Sequence, residues 1–100
     1  MKYRVRYLIT ARHDREAIKS HLKEFSTTAA LRLFEKIKRK MEYVKINPYI
    51  YEVYERRPQF RRMVVEDYLV FYHVNNVEKI IEVHRILHGM MDIQKQVDNE

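Results

Sequence analysis

Residues 60–74 read FRRMVVEDYLVFYHV and residues 80–92 read IIEVHRILHGMMD; these two stretches decide the fold. They hold runs dense in β-branched and aromatic residues, Phe60 to Glu66, Tyr68 to Val74 and Glu78 to Leu87, each of strand length. Glu66-Asp67 and Asn75-Asn76 separate the runs, and Asn-Asn suits a tight hairpin. Apolar residues run consecutively at Leu69 to Tyr72, Ile80-Ile81 and Ile86-Leu87, without clean alternation. Helices can cover only one sheet face, so the second face is either a partner's docking surface or lies under residues 49–59 and the C-terminal tail.

Working back towards the N-terminus, residues 49–59 show no period, and Pro58 argues against a central strand there. Before them, Ala30, Phe34, Ile37, Met41 and Val44 recur at helical spacing as one apolar stripe. Asn47-Pro48 ends that helix, because proline disfavours helical geometry in the residue before it. Ser26-Thr27-Thr28 breaks an earlier helix carrying Ala11, Ile18, Leu22 and Phe25 and offers a cap for the next. Two helices joined by so short a link predict an antiparallel hairpin. Residues 3–9, YRVRYLI, predict an opening strand, with Thr10 placed to cap the first helix. The expected architecture is a single α+β domain over residues 1–100, ordered β-α-α-β-β-β, with the helical hairpin on one face of an antiparallel sheet.

Composition narrows the function. The 100 residues carry 20 Lys and Arg against 14 Asp and Glu, a net charge of +6, which points to an anionic partner. Without cysteine, disulfides and thiolate zinc sites are excluded. The charged N-terminus and the lack of a long apolar run predict a cytoplasmic protein with no membrane contact. One glycine cannot build a phosphate-cradling loop, and no cofactor is expected.

The order and spacing of these pieces resemble the RelE/ParE toxins of type II toxin–antitoxin systems. The likeness rests on Phe60-Arg61-Arg62-Met63-Val64, on Tyr68-Leu69-Val70-Phe71-Tyr72, and on Arg85-Ile86-Leu87-His88-Gly89 followed by Met90-Met91-Asp92. It implies a basic toxin neutralised by an acidic antitoxin encoded beside it. It also implies one of two targets: mRNA cut on the ribosome without metal in the RelE-like branch, or DNA gyrase inhibited in the ParE-like branch. The nuclease pattern places an Arg at the position of Leu69 and a second cation near Met63, and the family's tail has two Arg where Met90 and Met91 stand. All four positions are apolar here, which favours gyrase inhibition; a degenerate toxin that has lost activity and only binds its antitoxin is the third reading.

Were the chain a nuclease, Arg61 and Arg85 would stabilise charge on the reacting phosphate and His88 would move a proton. The other reading of His88 is a turn histidine bonded to the backbone. His84 and Arg85 would face opposite sides of a strand unless a bulge intervenes. His84 and His88, four apart on a strand, do not converge on a metal. Arg56, Arg57 and Arg62, with Tyr68 and Tyr72, are candidates for binding a macromolecule. Arg61 and Arg62 could instead pair with Glu66 or Asp67. Tyr49, Tyr51 and Tyr54 beside Arg56 and Arg57 suit base stacking; core packing or antitoxin contact suits Tyr68 and Tyr72.

Overall fold

The computed structural model describes residues 2–91 and 93–98. Asp92, the last residue of the quoted tail, lies outside them. The order is β1 (Arg4–Tyr7), α1 (Ile9–Lys23), α2 (Ala29–Ile46), β2 (Arg61–Val65), β3 (Tyr68–Asn75), β4 (Ile80–His88) and a short α3 (Ile93–Asp98). The α+β class and the β-α-α-β-β-β order hold, with α3 as an addition. The sheet order is β1-β4-β3-β2. β2, β3 and β4 are antiparallel neighbours, while β1 joins β4 in parallel, making the sheet mixed. β1 and β2 thus form opposite edges. No helix among the described residues is long and apolar enough to cross a membrane.

Two apolar clusters occupy the two sheet faces. On the helix side, Ala11, Ile18, Leu33, Ile37, Met41 and Val44 pack against Met63, Val65, Tyr68, Val70, Tyr72, Ile81, Val83 and Ile86. On the other side, Phe60, Phe71, Leu87 and Val97 are buried together with Tyr54, Leu69 and Ile93 against them. The consecutive apolar run at 69–72 now has its reason: β3 and β4 are covered on both sides. The second cover is intramolecular, from the 49–60 segment and α3.

Several local expectations give way to tertiary contacts. Phe25 lies beyond the end of α1, 74% exposed, with its ring edge-on to His21. Leu22 and Phe34 are only half-buried, and Leu33 takes a core position outside the stripe read from spacing. Thr28 occupies the N-cap of α2 but makes no side-chain cap bond; its own N–H donates to Ser26 Oγ at 3.3 Å. The β3–β4 connection is a four-residue loop, not a two-residue hairpin. Asn75 pairs with Ile80, the Asn75 side chain accepts the Glu78 N–H at 3.0 Å, and Lys79 takes a positive φ.

β1 stops after four residues, so the upper half of β4 loses its neighbour. The start of α1 replaces it. Thr10, expected as a cap, lies inside the first turn and donates its hydroxyl to the His84 carbonyl at 2.7 Å. One turn on, the Asp14 carboxylate accepts the Ile86 N–H at 2.9 Å and two bonds from Arg85, 2.8 Å to Nε and 3.0 Å to Nη2. Spacing of four puts Thr10 and Asp14 on one helix face, and together they satisfy strand groups that would otherwise be unpaired. The ion pair is largely buried, with 15% and 13% of the two side chains exposed.

Breaking such a pair leaves a buried charge and an orphaned amide. Asp14→Ala is therefore expected to cost about 3–5 kcal/mol. Asp14→Asn keeps an acceptor for the Ile86 N–H and should cost less. Urea unfolding of both variants checks this; equal losses, or an Asp14→Ala loss under about 1 kcal/mol, would show that α1 is held by other contacts.

Candidate functional site: the basic face of the sheet

β4 carries a bulge where its register against β3 slips between Phe71 and Tyr72, leaving His84 as the extra residue. A bulge interrupts strand alternation. Arg85 pairs with Phe71, on the face away from the helical hairpin, and the His84 ring meets Phe60 of the same cluster edge-on at 4.6 Å. The bulge thus brings His84 and Arg85 to one face, the condition under which they could share a site.

Around Arg85 the cations are engaged by main chain and carboxylate. Its Nη1 donates to the Gln96 carbonyl at 3.2 Å, while Arg57 Nη1 donates to the next carbonyl, Val97, at 3.0 Å. Two guanidiniums from distant elements therefore hold consecutive carbonyls at the end of α3. Arg57 also lies over the Phe60 ring at 5.5 Å, and with the Gln59 amide turned oxygen-inward it accepts from both Arg57 Nε and Nη2 at 2.9 Å. Arg62 occupies the same row of the sheet, through their common neighbour Phe71. It bonds Glu52 at 2.6 Å, not Glu66 or Asp67, and its Nε is buried with no partner among the described residues. Arg56 is exposed on the same segment. Lower on this face, Glu82 binds Arg6 and the His73 Nδ1, the latter at 3.1 Å. The His73 hydrogen bond first, then Arg6, holds the Glu82 carboxyl below its ordinary range.

The remaining candidates stand elsewhere. Arg61 pairs with Tyr72 on the helix-facing side, donates to the Tyr51 carbonyl at 2.8 Å and lies over the Tyr49 ring at 4.9 Å. His88 meets the buried Tyr68 ring edge-on at 5.1 Å, and its Nδ1 accepts the Met90 N–H at 3.0 Å, as a turn histidine would. Tyr72 is fully buried and donates to the Pro48 carbonyl at 2.9 Å. Arg61 and His88 are thus on the opposite side from Arg85, and Tyr68 and Tyr72 are core. Asp14, Glu52, Glu82 and the Arg57 grip on α3 had no sequence signal beyond the four-residue spacing of Thr10 and Asp14, because each depends on a partner at least 9 positions away.

The fold is that of small bacterial toxins. A chain of the chromosomal ParDE system of P. aeruginosa superposes with a TM-score of 0.72 at 18% identity, covering 87% of this chain and 96% of that one. The free E. coli RelE toxin, as a mutant, gives 0.67 at 15% identity, covering 99% and 98%. A chain of the RelBE2 toxin–antitoxin complex of Mycobacterium tuberculosis gives 0.60 at 16% identity, covering 88% and 99%. No curated protein sequence matches the chain. Residues 2–93 match the family described as the ParE toxin of the type II toxin–antitoxin system parDE. The chain belongs to that family and is a type II toxin.

Burial pushes the Tyr72 phenol up to about 12 from 10.0. The unfolded phenol ionises first, so stability should fall as pH rises through 10 towards 12. Tyr72→Phe should remove that alkaline loss, at a cost near neutrality of about 1 kcal/mol for the lost hydrogen bond. Urea unfolding of both proteins at pH 8 and pH 11 measures it; parallel losses in the two would contradict the assignment.

Proposed function

We propose that this toxin acts by binding, inhibiting DNA gyrase in the ParE-like manner, and that an acidic antitoxin neutralises it in the cytoplasm. The observation that carries the reading is the separation of the would-be nuclease groups. Metal-free RNA cleavage by 2′-hydroxyl attack needs a base, an acid and cations around one phosphate. Arg61 and His88 lie on the helix-facing side of the sheet and Arg85 on the other. Arg85 is also held by Asp14. Leu69 and Met63 supply no charge where the nuclease pattern has cations. The net charge of +6 suits an acidic antitoxin, and the ParDE and RelBE2 structures are by name those of toxin–antitoxin systems.

One observation favours the other reading, a ribosome-dependent mRNA endoribonuclease. The bulge sets His84 beside Arg85 on a single face, where a histidine could move a proton and the guanidinium steady the charge on a phosphate.

Expression of the toxin alone should slow bacterial growth and block supercoiling by purified gyrase, with no codon-phased mRNA 5′ ends after induction. Phased cuts with unaffected gyrase, reduced about 10²–10³-fold in an Arg85→Ala variant shown to be folded by circular dichroism, would reverse the choice in favour of the nuclease.

A further inference from the structure

The flank of α2 that faces β2 carries cations without carboxylates. Arg32, Lys36, Arg39 and Lys40 follow one another at spacings of four, three and one, which sets them in a stripe along one side of the helix. Two contacts fix which side it is. Lys36 Nζ binds Glu66 on the β2–β3 turn at 2.5 Å, and Lys40 Nζ donates to the Val64 carbonyl at 2.9 Å. Arg32 and Arg39 are exposed, and neither guanidinium has a carboxylate partner among the described residues. The carboxylates of α2 itself, Glu35 and Glu42, line the groove on the β1 flank. Both lie within helical reach of Arg39, yet Arg39 lines the β2 flank instead.

There Lys36, Arg39, Lys40 and Tyr43 surround an open groove of about 430 Å³ with Val65 and Glu66 on its far wall. From Arg32 to Lys40 the flank exposes no apolar side chain, whereas the centre of a protein interface is depleted in charge and rich in apolar contacts. One aromatic ring, Tyr43, stands at the end of the stripe, too few for the row of stacking platforms that a single strand uses. At a rise of about 1.5 Å per residue, Arg32 to Lys40 spans about 12 Å. A strand of duplex DNA carries one phosphate per about 3.4 Å of axis, so the stripe matches three to four phosphates in length and in charge.

We propose that the β2-side flank of α2 is a binding site for the phosphate backbone of duplex DNA, held without regard to base sequence. Arg32 and Arg39 grip phosphates with their planar forks, and Lys36 and Lys40 add point charges between them. Lys36 leaves Glu66 for a phosphate at little cost, because both side chains of that pair are about half exposed and such pairs contribute little. The helix lies along one strand and does not enter a groove, since Glu35 and Glu42 on its other flank would then meet the opposite strand. The site does not depend on which target the toxin poisons, and its test contains no gyrase and no ribosome.

Fluorescence anisotropy of a labelled random-sequence duplex, titrated with the intact toxin between about 50 and 200 mM KCl, tests this. The slope of log affinity against log salt should be about −3, as three to four neutralised phosphates give. Arg32→Ala/Arg39→Ala should bind about tenfold more weakly at the lower salt and lose about 2 from the slope. Lys19→Ala/Lys38→Ala removes the same charge outside the stripe and should bind within about twofold of the unaltered toxin. Glu66→Gln frees Lys36 and should tighten binding about threefold, whereas Glu55→Gln on the far side of the sheet should not. Circular dichroism establishes that each variant is folded; should the arginine pair fail, Glu66→Gln against Glu55→Gln decides. Equal losses in the two double variants, or equal gains in the two glutamine variants, would show binding by diffuse charge and overturn the site. So would no binding to the duplex at the lower salt. Tighter binding of a single-stranded RNA of the same length, lost with Arg32→Ala/Arg39→Ala, would overturn the assignment to duplex DNA.

Discussion

The carboxylate of Asp14 does the work of a missing strand. β1 pairs only with residues 80–83 of β4, and a strand that continues unpaired beyond a partner's end must satisfy its inner-edge amides in some other way. Asp14 takes the Ile86 N–H and the Arg85 guanidinium together, and Thr10 takes the His84 carbonyl. The helix is thereby docked on the edge at a defined height and rotation. That docking fixes which residues of α1 reach the core: Ala11 and Ile18 are buried, while Phe25 projects past the helix end. Arg85, held at its Nε side by Asp14, also donates through Nη1 to the Gln96 carbonyl at the end of α3. One buried ion pair so links α1, β4 and the C-terminal helix.

The second constraint is that β3 and β4 carry apolar residues on both faces. A helical hairpin covers one face, and the chain covers the other with pieces too irregular to have a period: Tyr54 and Phe60 from the long connection and Ile93 and Val97 from α3. Arginine suits the borders of this cover because its planar fork can bind a carbonyl while its body lies on an aromatic ring. Arg57 does both at once, on Val97 and Phe60. Much of the positive charge that composition assigns to a partner is thus used internally on this face. The more open basic surfaces lie on α1, α2 and β1.

That distribution bears on how such a toxin is neutralised and how it acts. A cation engaged by a buried carboxylate is poorly placed to answer charge developing on a phosphate. Exposed cations on α1, α2 and β1 are better placed to meet an acidic partner.

By itself the sequence determined the elements whose signals are local. The α2 stripe from Ala30 to Val44, the Asn47-Pro48 stop and the β-branched runs of the meander all follow from periodicity and backbone sterics. Their order was enough to define the α+β fold and its resemblance to a toxin family. What only the tertiary structure decided is everything that depends on partners far along the chain. The parallel pairing of β1 with β4 joins residues 76 positions apart, and no local pattern encodes a neighbour at that distance. The bulge at His84 reverses the facing of Arg85 without changing a residue type. Arg61 and Arg85, similar on paper, end on opposite faces because strand phase is counted from hydrogen-bond register, and register is set by packing between elements that the sequence presents separately.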